Sequence, residues 1–372
     1  MNETILHILT ISFYIATAIQ LIIYFIIYGR LVFFNKKTNG SNVKEAVSVV
    51  IVARNEYLNL KNFLPKILEQ DYPDYEVIIV NHASVDETNF LIKEFQQKYP
   101  HLKYLELKED INFFQGKKFP LSMGIKSAKN DILLFTDADC IPQSDKWISE
   151  MASSYEEKTE VVLSYGAYIE KKGFLNKLIR FDTIRVAISY LSFAKWRLPY
   201  MGVGRNLSYR KHLFYQQGGF MSHYKIKSGD DDLFVNKAAN YKNCRIVLNE
   251  NSKTLSIAEA NFSDWFRQKR RHLSTGGNYK FFHLFLLGII DLSQLLFFGL
   301  AVFLLILNPQ DLIIISLLAL RTIIFIIITN KFMLIVNEQK ILLLLPIIEL
   351  IMIVMLPVIN IFNLLLKQRK WK

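Results

Sequence analysis

Apolar residues in this chain recur in three different rhythms. Residues 5–28 run apolar with scattered Ser, Thr, Gln and His and contain no Asp, Glu, Lys or Arg. A bilayer core needs about 20 such residues, so this stretch predicts a membrane-spanning helix. It opens on Glu3 instead of a basic segment and lacks a clear small-residue cleavage site, which favours an uncleaved anchor over a signal peptide. From residue 46 the rhythm shortens. Ala46–Ala53 reads AVSVVIVA, a buried strand, and ends in Arg54-Asn55-Glu56. Leu60, Phe63, Leu64, Ile67 and Leu68 then fall at helical spacing over 58–69. Tyr75–Val80 is a second strand, a helix follows from about Glu87 to Tyr99, and a short strand lies near Lys103–Leu107. A further helix over Phe119–Ser127 leads to the strand Ile132–Phe135. Strand and helix alternating in this way predict a right-handed βαβ sheet. After Gly276-Gly277 the third rhythm begins. Residues 282–307, 311–329 and 341–366 are each long enough to span, with Asn308-Pro309-Gln310 as a turn and Pro346 and Pro357 as kink points in the last. The expected organisation is an anchor over 1–30, an α/β domain over 44–275, and a membrane region of about three helices over 281–366.

Composition sharpens this picture. The 372 residues are 51% hydrophobic with 28 Phe, and the mean hydropathy of +0.20 comes from the two ends of the chain. The net charge of +12 fits an anionic membrane surface or nucleic acid, and the flanking apolar segments favour the membrane. Two cysteines, Cys140 and Cys244, supply neither a disulfide framework nor metal-ligand spacing and read as free thiols in a reducing compartment. His7, His101, His212, His223 and His283 form no ligand pattern.

No Gly-x-Gly-x-x-Gly follows the first strand and no Gly-Lys-Ser/Thr loop is present, which argues against a dinucleotide fold and a P-loop ATPase. Polar groups gather instead at three strand ends, near residues 54, 81 and 137. Asp137 and Asp139 stand one residue apart where Ile132–Phe135 ends. Two carboxylates there could hold a hard divalent cation, Mg²⁺ or Mn²⁺, and the cation a diphosphate; alone, the pair reads equally as an acidic turn. Asp230, Asp231 and Asp232 are candidates for a general base, because adjacent acids raise one another's pKa. Their bland reading is an acidic helix start. Residues 264–272 are basic and aromatic, suited to gripping a diphosphate or lying on anionic lipid. Phe174–Leu198 places Phe174, Leu178, Phe181 and Arg185 at helical spacing, as in an interfacial helix or an ordinary amphipathic one.

Taken in order, these motifs resemble a family 2 glycosyltransferase: an inverting enzyme of the GT-A fold, α/β with a mostly parallel sheet, that uses nucleotide-diphosphate sugars. The resemblance spans about 230 positions, from Val47 to His272. Ala53, Arg54, Asn55 and Glu56 match the opening motif at the nucleotide pocket. Asn81 to Asp86 matches the element that holds base and ribose, with His82 where the family has an acid. Gly116-Lys117-Lys118 resembles the basic loop beneath the nucleotide. Asp137 and Asp139 match the metal-binding pair, Asp139 as direct ligand and Asp137 contacting ribose or metal. Gly202–Asn206, with Arg205, resembles the segment lining the donor-sugar and acceptor pocket. Ser228–Leu233 resembles the catalytic acidic motif and implies Asp231 as base beside Asp230. Gln268 and Arg271 resemble the Gln-x-x-Arg-Trp motif of membrane-bound polysaccharide synthases and would grip the diphosphate; His272 stands in place of the Trp.

The resemblance implies transfer from a nucleotide sugar, UDP-linked by expectation, to a lipid-linked saccharide or cell-envelope glycan, at the bilayer and without nucleic acid. The rival readings are single addition to a polyprenyl phosphate or other lipid, and an inactive scaffold of the same fold. Arg30, Lys36 and Lys37 place the domain in the cytoplasm by the positive-inside rule, in a bacterial inner membrane. Three C-terminal spans would then leave Lys367, Arg369, Lys370 and Lys372 on the far side, against that rule; either one segment lies in the interface or re-enters the membrane, or the short basic tail is tolerated. Asp291 and Glu349, acids in apolar surroundings, are candidates for a lipid or glycan path or for bundle-facing positions.

Overall fold

The computed structural model describes residues 3–34, 45–107, 116–338 and 340–365; Lys36, Lys37 and the basic residues from Lys367 onward lie outside them. A long apolar helix, α1 (Glu3–Phe33), with a π-helical stretch over Ile22–Tyr28, leads to the α/β domain. There β1 (Val47–Ala53), β2 (Tyr75–His82) and β3 (Leu102–Leu107) alternate with α2 (Tyr57–Leu68) and α3 (Thr88–Lys98). Next come α4 (Lys118–Ser127), β4 (Ile132–Phe135), β5 (Cys140–Pro142), α5 (Trp147–Ala152), β6 (Val161–Leu163) and β7 (Gly166–Tyr168). The domain continues through α6 (Phe174–Lys195), β8 (Leu207–Arg210), α7 (Lys211–Gln216), α8 (Asp232–Ala238), β9 (Cys244–Ile246), β10 (Thr254–Ser256) and α9 (Phe262–Gly276).

The main sheet has the strand order β3-β2-β1-β4-β8-β6-β9. The four strands from β3 to β4 are parallel, and β8 alone runs antiparallel to both its neighbours, β4 and β6. A small second sheet, β5-β10-β7, lies beside it. Because β1, β2 and β4 are parallel, their C-terminal ends share one edge, where Ala53 pairs with Asn81 and β4 runs out into Asp137. Alternation along β1 sets the two faces. Val47, Val49 and Ile51 pack with Leu60, Leu64 and Ile92 of α2 and α3, while Val50 faces Leu121 and Ile125 of α4. α4 comes that close because Gly124 lacks a side chain: a Cβ there would lie 2.6 Å from Val50 Cγ1. This contact brings the start of α4, with Lys117 and Lys118, to the strand ends.

α6 is not the surface helix its spacing allows. Leu178, Phe181, Ile184 and Leu191 are all buried, wedged between the sheet and the membrane helices. Three apolar helices follow α9: α10 (Phe281–Leu307), α11 (Leu312–Ile335) and α12 (Leu342–Leu365). With α1 they make, among the described residues, four helices long and apolar enough to cross a membrane. Glu349 of α12 faces the bundle, bonded to Arg321 at 2.6 Å; Arg321 also reaches Gln20 at 2.9 Å.

Candidate active site

Hydrogen bonds stitch the ends of β1 and β2 together. Ser84 Oγ accepts from the Asn55 amide and Asn55 Oδ1 from the Val85 amide, both at 2.8 Å. Asp86 accepts from the amides of Tyr57 (3.2 Å) and Thr88 (3.1 Å), so one carboxylate caps both α2 and α3. Burial pushes the Asp86 carboxyl up, but the bonds from Thr88 and Tyr57 outweigh it and hold the group below the usual range. Asn81 is buried and shapes the same loop, its Oδ1 accepting from the Ser84 amide at 3.3 Å. Ala53 is buried at the strand end, Glu56 is held by Asn59 at 2.6 Å, and Arg54 is exposed at the rim. Asn81 and Asp86 therefore spend their polar atoms on loop architecture, and the exposed atoms facing outward belong to Arg54 and its neighbours.

Next to this loop Asp137 forms an ion pair with Lys117. Burial pushes the Asp137 carboxyl up, yet Lys117, then Arg205 and Arg271, bring it below the ordinary range. Asp139 moves the other way: burial, then the charge of Asp137, raises it, although Ser256 Oγ donates to its Oδ2 at 2.8 Å. One oxygen each of Asp137 and Asp139 and the Cys140 sulfur all lie within 4.8 Å of one another. The two carboxylates fit a hard divalent cation, whose charge would relieve their mutual repulsion. Cys140 does not complete the set: burial pushes its thiol well up, and the protonated sulfur donates to Asp139 Oδ1 at 3.6 Å.

Opposite stands the acidic motif. Asp231 Oδ2 accepts from the Gly204 amide and Oδ1 from the Asp232 amide, both at 2.7 Å. Burial, then Asp230 and Asp232, push its pKa up to about 7. Asp232 is buried and tied to the helices behind it, by Thr275 Oγ1 at the end of α9 and by Tyr279 Oη at 2.9 Å. Lys117 links the two acidic groups. Burial would lower its ammonium pKa, but Asp137, Asp230 and Asp231 together raise it.

Lys118 departs from the expected basic loop. It is buried and faces away from Asp137, donating to the carbonyls of His223 (3.0 Å), Ser228 (2.6 Å) and Ile226. Arg205 lies over the Tyr168 ring, 4.2 Å from its centroid, with its charge beside Asp137 and Asp139. The adjoining Asn206 lines no pocket: it is fully buried and bonds Trp147, Tyr165 and Ser252. On α9, Lys269 is buried against Asp182 at 2.5 Å, while Gln268 meets Tyr168 Oη at 3.4 Å and Glu259 at 3.2 Å. Arg271 is half-buried, its side chain forms no hydrogen bond or ion pair among the described residues, and its charge reaches Asp137.

Thr275, Tyr279, Tyr168 and Ser256 join the site without any sequence signal of their own. Each sits far along the chain from the group it touches.

Residues 48–226 match the family described as Glycosyl transferase family 2. The α/β domain belongs to that family. Its fold is GT-A. Glycosyltransferase AglE of Haloferax volcanii is 33% identical over 110 residues, 29% of this chain and 34% of that protein. The poly-beta-1,6-N-acetyl-D-glucosamine synthase of Staphylococcus epidermidis is 32% identical over 101 residues, 27% of this chain and 23% of that one. The chain thus spans about a quarter to a third of these curated relatives. The structure of mannosyltransferase PcManGT from Pyrobaculum calidifontis, in complex with GDP-Man and Mn²⁺, superposes with a TM-score of 0.62 at 16% identity. That match covers 97% of this chain and 100% of the other, so the likeness of fold extends to the flanking apolar helices.

Proposed function

We propose that this chain is a membrane-held, inverting glycosyltransferase. It moves a sugar from a nucleotide-diphosphate donor, UDP-linked by our reading, to a hydroxyl of a lipid-linked saccharide or cell-envelope glycan. The observation that carries the proposal is Asp231: a carboxyl fixed by two backbone amides, pushed to a pKa of about 7, and linked through Lys117 to Asp137. A pKa near neutrality suits a base that must accept a proton in the transition state.

Asp231 takes the proton of the acceptor hydroxyl while that oxygen bonds to the anomeric carbon of the donor. The bond from this carbon to the diphosphate oxygen breaks on the opposite face, and the nucleoside diphosphate leaves. One displacement inverts the carbon, and no enzyme nucleophile is needed. Arg271 and Arg205, whose charges bear on Asp137, stabilise the leaving diphosphate through planar guanidinium contacts. Asp139 and Asp137 would hold Mg²⁺ or Mn²⁺, which supplies Lewis-acid stabilisation of the departing oxygen. The GDP-Man and Mn²⁺ of the mannosyltransferase structure are in keeping with such a donor and cation. An acceptor arriving from the bilayer suits a base whose neighbour, Asp232, is tied to α9 and to the residues leading into α10. The domain faces the cytoplasm of a bacterial cell in this reading, with Arg30 and the lysines after α1 on that side.

The test is a panel of nucleotide sugars offered with Mn²⁺ to detergent-purified protein, following release of nucleoside diphosphate. One donor hydrolysed above the rest, with the release lost in Asp139→Ala, is the expected result. No release from any donor, and no donor-induced rise in melting temperature, overturns the proposal.

A further inference from the structure

The last apolar helix is long enough to cross a bilayer. At 1.5 Å per residue, its 24 residues span about 36 Å, against a core of about 30 Å. Both of its ends are nevertheless fastened to the α/β domain. At the entrance, Lys253 Nζ donates to the carbonyls of Val336 (2.7 Å) and Asn337 (3.2 Å). Arg180 of α6 pairs with Glu338 at 2.5 Å, both side chains buried, and Lys340 pairs with Glu170 at 2.9 Å. At the far end, Arg270 Nε of α9 donates to Asn363 Oδ1, and Asn363 Nδ2 donates back to the Arg270 carbonyl, both at 2.9 Å. The Phe362 ring meets Phe266 of α9 edge-on, centroids 5.8 Å apart. A helix that crossed would carry Asn363 about 30 Å from the face it entered on. Instead Asn363 sits on a helix of that same face.

α10 and α11 behave differently. They leave the domain and return, and the turn between them, Asn308 to Asp311, bonds only to itself and to the helices it joins, among the described residues. Beside that turn, Leu304 and Ile314 pack with Phe13 and Ala16 of α1, in a cluster that includes no residue of the sheet.

We propose that α12 lies along the membrane beneath the domain and does not cross it. Leu345, Ile348 and Met352 pack into the core shared by α6 and α11, and Glu349 is held inward by Arg321 and by Gln294 at 3.0 Å. The opposite face presents Ile347, Leu350, Val354, Val358 and Ile361. An in-plane helix at the headgroup level carries a charged outer face. This one has none, so it is sunk to the acyl chains, roofed by α6 and α9. The partner of its outer face is lipid hydrocarbon. Three crossings then remain, by α1, α10 and α11. The basic residues Lys367, Arg369, Lys370 and Lys372 fall on the same side as the domain, as the positive-inside rule asks. This inference is independent of the reaction the domain carries out.

The experiment is cysteine labelling in sealed membrane vesicles of both orientations. Cys140 and Cys244 are buried, so the background is low. Three full-length variants are compared with a membrane-impermeant maleimide: K242C reports the domain, N308C the α10–α11 turn, and K370C the segment after α12. K370C labelling in the vesicles that label K242C, and not in those that label N308C, is the expected result. A fourth variant, F266C/F362C, should form a disulfide in intact membranes under mild oxidation. Labelling of K370C together with N308C, or failure of that cross-link, overturns the proposal.

Discussion

The Gly204 amide donates to Asp231 Oδ2 at 2.7 Å, and a Cβ on Gly204 would lie only 3.3 Å from that oxygen. The two segments that carry these residues are therefore held so close that a side chain at position 204 would fit only if Asp231 shifted by a few tenths of an ångström. The bond fixes where the carboxylate points, and burial, then the two flanking acids, set when it ionises.

From this arrangement follows the pH dependence of the reaction. In the proposed mechanism Asp231 must be ionised to accept a proton, and its pKa lies at about 7. The rate, as kcat/KM, should fall tenfold per unit below about pH 7 and level off above it. Asp231→Asn should lose about 10²- to 10⁴-fold in kcat while donor binding stays nearly unchanged. The stability effect has the opposite sign. A carboxyl whose pKa is raised on folding stabilises the fold at low pH, and that contribution is lost as pH rises from the ordinary carboxylate range through about 7. The melting temperature of Asp231→Asn relative to the parent should therefore be higher at pH 8 than at pH 5, on top of a pH-independent loss because its Nδ2 cannot accept from the second backbone amide. A variant that turns over fully excludes Asp231 as the base.

The paired aspartates give a second expectation. Asp137 and Asp139 repel one another, and Lys117 offsets only the first. Chelation should abolish transfer and Mn²⁺ should restore it. Asp139→Ala should lose at least about 100-fold and no longer show a Mn²⁺-dependent rise in melting temperature. Undiminished turnover in excess EDTA would remove the metal role from both residues.

Lys118 supplies the third. Its ammonium holds three carbonyls of the segment that leads into Asp230. Lys118→Met leaves those acceptors buried without a donor, a cost of about 1–3 kcal/mol. Because that segment carries the acids, kcat should fall more than KM rises, and the acid limb of the pH profile should shift. Lys118→Arg should recover part of kcat. A melting loss with kcat and the pH profile unchanged would make Lys118 a purely structural residue.

How much of this was legible in the sequence depends on what each residue's neighbours are. The strands β1, β2 and β4 were legible because burial on both faces writes an unbroken apolar run, and Asp137 and Asp139 because they end one. The long apolar helices were legible for the same reason. Asp86 was visible as an acid in a motif, but its bonds to Tyr57 and Thr88 come from a loop crossing that no spacing encodes. Lys117 and Lys118 look alike in sequence, yet one faces Asp137 and the other the 223–228 segment, because consecutive side chains at a helix start diverge by about 100°. Thr275 and Tyr279 reach Asp232 across more than 40 positions. For α12 the basic residues that follow it spoke against a third C-terminal crossing, but length and apolar composition alone do not say which segment lies along the membrane.

The Arg321–Glu349 pair gives the last prediction. Both side chains are buried among four apolar helices, 2.6 Å apart, with Gln20 and Gln294 supplying further bonds. A buried pair of this kind is costly to break from one side, because the remaining charge keeps its desolvation penalty without its partner. Arg321→Leu alone should destabilise the protein by about 3–5 kcal/mol. The double variant Arg321→Leu with Glu349→Gln removes both charges and should regain most of that loss. Denaturation in detergent, read at equilibrium for the parent, both single variants and the double, measures the coupling directly. If the double variant is as unstable as the sum of the singles, the pair acts as two independent packing residues and does not pin α12 to the bundle.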